Sequence, residues 1–385
     1  MRISVRLPQV NPDEYHEAEQ CPYGCGGQQF KRHGIKSEPK AVRDLDHDEV
    51  RSYRLKCLRC KRTFRVYPQG VSKGAQQSAR LKGMSVLLYV LGLSYGAVAD
   101  FLTALGLEIG KTTVYENVQA AGMKSRQCQS QAVERSKKRT VIGTDGTYVK
   151  VKGEKVGLQV VVDDRTGDLL GLDLIVSEEK EEVLDLVRQV AAQVEAKVMV
   201  SDDWGSYQEV ADDLGLDHQI CRSHVQRNVD ESADSLREQL KHHAEPMPPG
   251  VESSPEQLET DLEFLQRLIR ERPTEAPDHL QRLYQRYQAA PKPPQGRRHP
   301  VWYRMRMLIT RLWNRWSRLT LDLRRTDLDM DGTNNASERL IGWWIKVRYR
   351  TMRGYKRTAS IFNVVTLTAR MGAHSGTYDL AELYA

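Results

Sequence analysis

The sequence predicts a mixed α/β protein, and three observations predict it. Residues 141–175 hold three β-rich runs, VIGTDGTYVKV, VGLQVVVDD and LLGLDLIV, separated by the turn segments KGEK and DRTGD. Val183, Leu186, Val187 and Val190 then recur at helical spacing, and AKVMVSDD returns to a buried strand. From His224 the pattern is helical to the C-terminus. A mixed sheet with helices on its faces places functional groups at strand ends and loops, which directs attention to Asp145 and Asp202.

The length, 385 residues, allows two or three domains. With 39% hydrophobic and 28% charged residues, the chain is neither a disordered polyelectrolyte nor a membrane protein. Its longest uncharged run, Gly83 to Ala99, is interrupted by Gly92, Ser94 and Gly96 and falls short of a bilayer span. No membrane partner is expected. The opening MRISVRLPQVNPDEYH lacks an apolar core before a cleavage site, so the expected location is the cytoplasm.

Charge is unevenly placed. Between Arg297 and Arg357 there are 16 Lys/Arg against 5 Asp/Glu, within a chain of net charge +7, so the remainder is net negative. Tryptophans and tyrosines interleave with these arginines, a composition suited to a polyanion surface.

The N-terminal segment, residues 1–75, is polar and carries Cys21-Pro-Tyr-Gly-Cys25 and Cys57-Leu-Arg-Cys60, two pairs separated by 31 residues. Six cysteines are too few for a disulfide scaffold, whereas two thiolate pairs can enclose a tetrahedral structural Zn²⁺. A zinc-ribbon-like domain is expected there. Residues 76–136 read as helices, and LSYGAVADFLTALGLEIGKTTVYENVQAAG follows a helix-turn-helix plan. Val98, Leu102 and Leu105 line its first helix, Thr112 or Thr113 can cap the second, and Val114 and Val118 bury its inner face. Thr112, Thr113 and Tyr115 are the expected DNA-reading residues of that second helix.

Ten of the 15 prolines lie between Pro246 and Pro300, which marks an all-α insertion of short helices over residues 229–330. Trp302, Met305, Ile309, Leu312, Trp316, Leu319 and Leu323 recur at steps of three and four, a continuous apolar seam. Arg304, Arg306, Arg311, Arg315 and Arg318 point mostly elsewhere and are candidates for phosphate contact.

Three acids stand out. Asp145 is central in an apolar strand, a costly position unless the carboxylate is paired or ligates a cation. Asp202 follows the buried run VMVS, with Asp203 as its rival. Glu338 lies in an early turn of a helix that Thr333 or Asn334 can cap. Brought together, the three carboxylates repel unless divalent cations lie between them, and hard oxygen ligands suit Mg²⁺ or Mn²⁺.

The series GTDGTY, VSDDWGSY and TNNASERLIGWWIKVRYRTMRGYK resembles the DDE transposases of prokaryotic insertion sequences over about residues 140–370. The resemblance implies a ribonuclease H-like mixed sheet flanked by helices, with the core in two parts, residues 137–228 and 331–385. It places the catalytic, metal-holding acids on Asp145, Asp202 and Glu338, preferring Asp202 over Asp203 because it directly follows the apolar strand. Cys221-Arg-Ser-His224 resembles the Cys-x-x-His signature of the Mutator-like branch, in which a helical insertion separates the second Asp from the Glu; two ligands alone make an incomplete zinc site, so Cys221 and His224 are expected to shape the active site or to pack, with metal binding as the alternative.

The implied function is metal-dependent cleavage and transfer of DNA strands with two Mg²⁺ (or Mn²⁺) ions, on double-stranded transposon ends and target DNA, by a homodimer or larger assembly in a nucleoid-associated location. Lys346, Arg348, Arg350, Arg353 and Lys356 are expected along the DNA path, with Trp343, Trp344 or Trp204 stacking on an unpaired base. The competing expectation is a former transposase retained as a sequence-specific DNA-binding regulator without catalysis.

Overall fold

The computed structural model describes residues 4–15, 18–34, 40–138, 140–176, 179–242, 246–352, 354–373 and 377–384. It begins with short strands, β1 (Ser4–Arg6), β2 (Asn11–Tyr15), β3 (Phe30–Arg32), β4 (Lys40–Val42), β5 (Val50–Cys57), β6 (Thr63–Val66) and β7 (Pro68–Gln69). Helices α1 (Ala79–Val90), α2 (Tyr95–Ala104) and α3 (Lys111–Ser136) follow. Next come β8 (Val141–Val151), β9 (Glu154–Asp163), β10 (Leu169–Ile175), α4 (Lys180–Val194), β11 (Val198–Ser201), α5 (Gly205–Leu214) and β12 (Asp217–Ile220). A helical run continues through α6 (Arg222–His242), α7 (Pro255–Glu271), α8 (Ala276–Tyr287), α9 (Val301–Leu319) and the single turn α10 (Leu321–Arg324). Helix α11 (Asn335–Arg339) passes through a π-helical stretch (Leu340–Lys346) into α12 (Val347–Met352), before α13 (Thr358–Ala373) and β13 (Thr377–Asp379).

These elements form two units. One comprises residues 1–132, 148–156 and 339–385; the other comprises residues 133–147 and 157–338.

In the first unit β3, β4 and β6 all pair antiparallel with β5, which carries Cys57 at its end. Ser78 and Ser94 cap α1 and α2 by accepting the Leu81 and Ala97 amides at 3.0 and 3.1 Å. Val98, Leu102, Val114 and Val118 are buried as their spacing predicts, whereas Leu105 is exposed. Helix α3 begins at Lys111, and the Gly110 carbonyl accepts the Val114 amide at 3.2 Å. Thr112 and Thr113 therefore sit inside the first turn rather than at the cap, because helical bonding already starts from the Gly110 carbonyl.

In the second unit one five-stranded sheet has the order β10-β9-β8-β11-β12. Lys152 and Gly153, in the 148–156 segment counted with the first unit, both have positive φ (51° and 95°) and reverse the chain in two residues, which makes β8 and β9 antiparallel. The β9–β10 pairing is antiparallel, and β11 runs parallel to both β8 and β12. One face packs on α4 and α5: Ile142, Val161, Leu170 and Met199 meet Val183, Leu186, Val187, Val190, Tyr207 and Val210. Gly171 permits this approach, since a Cβ there would lie 2.5 Å from a Val190 methyl. On the opposite face Val141, Val198 and Val200 pack with Leu321. The mixed sheet with flanking helices is thus as the sequence predicts.

Helices α6–α9 share a separate apolar core in which Trp302, Met305, Ile309, Leu312, Trp316 and Leu319 are all buried. The seam stops at Leu319. Thr320, with non-helical dihedrals, ends the helix, α10 restarts at Leu321, and Leu323 is exposed. Ser254 caps α7 ahead of Pro255, and the buried Asp261 receives both Arg286 and Tyr287. Among the described residues no helix is long and apolar enough to cross a membrane.

Candidate active site

Strand alternation explains how two of the acids come to one side. Val141–Gly143 lie opposite Val198–Val200 in parallel register. Val141, Val198 and Val200 share the face away from α4, and a step of two along each strand carries that face to Asp145 and Asp202. Gly143 lies on the same face. A Cβ there would come within 3.1 Å of Asn334 Oδ1 and 3.2 Å of a Val162 methyl, so the strand is bare where the Asn334 side chain crosses it.

Asn334 ties the helix of the third acid to β8. Fully buried, it donates its side-chain amide to the Thr144 carbonyl at 3.0 Å, one residue before Asp145. Its own carbonyl accepts the Glu338 amide at 3.1 Å, opening the helix that carries Glu338. The Asn334 amide in turn donates to Cys221 Sγ at 3.3 Å. Sequence reasoning assigns Thr333 or Asn334 as a cap; Asn334 instead spends its side chain on β8, and Thr333 donates to Asp331.

Around Glu338 the structure assembles Cys221, His224 and the acid itself, with one ligand atom from each within 4.8 Å of the others. His224 Nδ1 is 3.4 Å from Glu338 Oε1, and Cys221 Sγ lies 4.0 Å from the same oxygen. Cys221, then Glu338 and Asp202, raise the His224 pKa to about 9 against the opposing effect of burial. Asp202 is pushed the other way from a surface acid: burial raises its pKa above the usual carboxylate value, with His224 and a hydrogen bond from the Trp204 backbone opposing and Asp203 and Glu338 adding to the rise. Asp202 Oδ1 is buried without a hydrogen-bond partner. A buried carboxylate oxygen with no donor fits a hard cation.

Asp203 differs sharply from its neighbour. Its side chain is only 4% exposed and both oxygens are taken, Oδ1 by Arg315 Nε at 2.8 Å and Oδ2 by Arg311. A cleft of about 500 Å³ opens beside Asp202, Asp203, Trp204 and His224 and is lined further along by Asn228, Ser232, Arg304 and Arg311. Trp204 is 56% exposed at its edge.

The arginines of α9, expected to meet phosphate, are engaged within the chain. Arg311 and Arg315 hold Asp203, Arg318 holds Asp212, Arg304 donates to Gln239 and Ser235, and Arg306 lies over the Tyr303 ring. Arg348 is also placed differently from the sequence expectation. It is buried, its guanidinium 3.8 Å from the Tyr89 ring centroid and donating to the Gly92 and Leu93 carbonyls, so no face is left for DNA. Lys346, Arg350 and Lys356 are exposed; Arg353 lies outside the described residues. Thr112 is exposed, Thr113 and Tyr115 are half-buried, and Tyr115 meets the Tyr95 ring edge-on at 5.5 Å. Trp343 is exposed and Trp344 half-buried.

A second metal-ligating group lies in the other unit. The Sγ atoms of Cys21, Cys25, Cys57 and Cys60 all lie within 4.8 Å of one another, with Cys21–Cys60 at 3.6 Å and Cys25–Cys57 at 3.7 Å. Four sulfurs at about 2.3 Å from a tetrahedral ion would be about 3.8 Å apart, so the group can bind zinc. The Gly27 amide lowers the Cys25 thiol to about 7, while burial raises Cys21. Gly27 has no room for a side chain: a Cβ would meet Cys57 Sγ at 2.7 Å.

Neither the Asp203 pairing nor the Asn334 bridge is visible in local sequence, since each joins residues more than 100 positions apart. A buried Gly-Thr-Asp in a strand and a doubled Asp after an apolar run were the available signals.

No curated protein matches the chain. Among solved structures it is similar to the HTLV-2 integrase catalytic core domain in complex with magnesium, at 17% identity over 34% of this chain and 85% of that one, with a TM-score of 0.20. It is also similar to the Drosophila P element transposase strand transfer complex, at 10% identity over 76% of this chain and 91% of that one, with a TM-score of 0.36. At these scores neither likeness carries an argument. The family model of the transposase IS66 family matches residues 78–349, well over half the sequence, and the chain belongs to that family.

Proposed function

We propose that the chain is a DDE transposase that binds the terminal inverted repeats of its element and catalyses metal-dependent DNA strand cleavage and transfer. The observation that carries this reading is the buried Oδ1 of Asp202, which has no hydrogen-bond partner, together with the Asn334 tie from the start of the Glu338 helix to the Thr144 carbonyl next to Asp145. Burying a carboxylate oxygen with no donor is costly, and a cation is the partner that such a site is built for. Asp145, Asp202 and Glu338 would hold two Mg²⁺ (or Mn²⁺), which supply charge stabilisation to an in-line displacement at phosphorus and activate its nucleophile. The chain's own part is to fix the three carboxylates, to keep Asp203 out of the site through Arg311 and Arg315, and to set His224 beside Glu338.

The finer organisation belongs to the same proposal. Residues 1–75 act as a zinc-ribbon-like domain with structural Zn²⁺, and residues 76–136 as a helix-turn-helix domain contacting DNA through Thr112, Thr113 and Tyr115. Residues 137–228 and 331–385 form the ribonuclease H-like catalytic core, which the strand order of three antiparallel strands followed by two parallel ones supports. Residues 229–330 form the helical insertion, and the Mutator-like branch rests on that insertion and on Cys221 and His224, whose role is to shape the site around Glu338. Lys346, Arg350 and Lys356 contact DNA, and the enzyme acts as a homodimer or larger assembly in the cytoplasm.

The test is incubation of purified protein with duplexes carrying the repeats that flank its gene, with and without Mg²⁺, followed by mapping of the nicks. Cuts at the repeat ends that require Mg²⁺ and vanish in Asp145→Asn or Glu338→Gln are expected. Repeat binding with no cleavage at any Mg²⁺ or Mn²⁺ concentration would establish the regulator instead.

A further inference from the structure

We propose that helix α9 is the positioning element for the Asp202 carboxylate, acting through two polar tethers, Asp203 to Arg311 and Arg315, and Ser201 through His218 to Arg318. The proposal rests on the reading of Asp202 as a metal ligand and adds what holds it in place.

The first tether is ionic. Asp203 is buried to 4% side-chain exposure, and each of its oxygens meets a guanidinium from successive turns of α9. Neighbouring side chains leaving an extended segment point to opposite sides. With Asp203 held toward α9, the alternation turns the Asp202 carboxylate to the other side, where it lines the cleft with His224.

The second tether is a directional hydrogen-bond chain. Arg318 Nη2 takes both oxygens of Asp212 at 2.8 Å, and its Nη1 lies 3.2 Å from His218 Nδ1. A guanidinium only donates, so Nδ1 accepts and the ring proton sits on Nε2. His218 Nε2 then donates to Ser201 Oγ at 2.9 Å, which leaves the Ser201 hydroxyl proton for the Asp202 carbonyl at 3.0 Å. Ser201 and His218 are both buried, so no water competes for these groups. Arg311, Arg315 and Arg318 lie on one helix within seven residues, and the residues they reach, 203 directly and 201 through His218, flank Asp202.

Groups behind a metal ligand tune affinity by about 10–100-fold without touching the ion. A tether that only fastened α9 to the sheet would affect stability but not metal dependence. The experiment uses the full chain with Asp203→Asn and Ser201→Ala, neither of which adds volume. Two measurements are made: the Mg²⁺ concentration giving half-maximal cleavage of a terminal-repeat duplex, and amide hydrogen exchange of the metal-free protein at residues 202–204.

The expected result is a rise of about tenfold or more in the half-maximal Mg²⁺ concentration, with the rate at saturating Mg²⁺ within about twofold of wild type. Exchange at 202–204 should quicken while exchange along β8 stays unchanged, and Arg311→Lys, which keeps the charge, should fall between wild type and Asp203→Asn. An unchanged Mg²⁺ dependence with a lowered melting temperature would overturn the proposal. So would loss of cleavage at every Mg²⁺ concentration in Asp203→Asn, which would make Asp203 itself a ligand. If the wild-type chain cleaves nothing, the transposase reading fails, and the exchange measurement still decides the tethers: unchanged exchange at 202–204 in both variants overturns them.

Discussion

The side-chain amide of Asn334 donates to the Thr144 carbonyl across 3.0 Å, so one buried residue fastens the start of the Glu338 helix to the strand bearing Asp145. Replacing that donor with an acceptor of the same shape sets two oxygens against each other in a dry environment. Asn334→Asp should therefore lower unfolding free energy by about 1–3 kcal/mol, measured by denaturant titration. It should also slow strand cleavage with little effect on repeat binding, because the binding residues proposed lie elsewhere in the sequence. Unaltered cleavage in Asn334→Asp would mean that the bridge does not set the position of Glu338.

Asp202 presents the opposite case, a charge the fold holds at a cost. Burial raises its pKa in the native state, so its ionised form is disfavoured by folding at pH values above its unfolded pKa, and stability declines as pH rises through that interval. Asp202→Asn removes the ionised group. The variant should melt at a higher temperature than wild type in chelator, and the gap should close or reverse as Mg²⁺ is added, since only wild type gains from binding. A wild-type melting temperature indifferent to Mg²⁺ would count against Asp202 as a ligand.

How much of this could be read from the sequence follows from how local each interaction is. The three-strand run, the helix of Val183 to Val190 and the seam from Trp302 to Leu319 were legible because alternation and helical spacing report burial directly. Leu323 failed because spacing continues through Thr320 although the helix does not. Arg348 and the arginines of α9 failed for a different reason. Composition marks a basic stretch but says nothing about partners distant in sequence, and Asp203, Asp212 and the Gly92 carbonyl are such partners. Strand position alone separates Asp202 from Asp203 in the sequence; the structure adds that Asp203 is held by two guanidiniums while Asp202 Oδ1 has no hydrogen-bond partner.

The four-cysteine group gives a prediction independent of catalysis. Cys57 is fully buried at the end of β5, and its sulfur is 3.7 Å from that of Cys25. Elemental analysis should find one zinc per chain in wild type and much less than one in Cys57→Ser or Cys60→Ser, and chelation should lower the thermal stability of wild type but not of the variants. Full zinc content in both serine variants would show that the thiolates do not hold the ion.

His218 offers a pH test of the second unit. Burial, then the Arg318 charge, depress its pKa from the usual 6.5 to about 3; Arg315 adds to the depression and Asp212 opposes it. The unfolded chain therefore takes up a proton below pH 6.5 that the folded chain refuses until about pH 3, so this group's contribution is fully present above pH 6.5 and is lost as pH falls toward 3. The loss amounts to at most about 1.4 kcal/mol per pH unit within that window. His218→Gln retains a side-chain N–H for Ser201 but cannot be protonated, so its unfolding free energy should fall less steeply than wild type between pH 6.5 and pH 4. Carboxylates titrate in the same range in both proteins, so the difference between the two curves is the quantity to read. Parallel curves would mean that His218 is already charged in the native state, and a charged ring could not accept from Arg318.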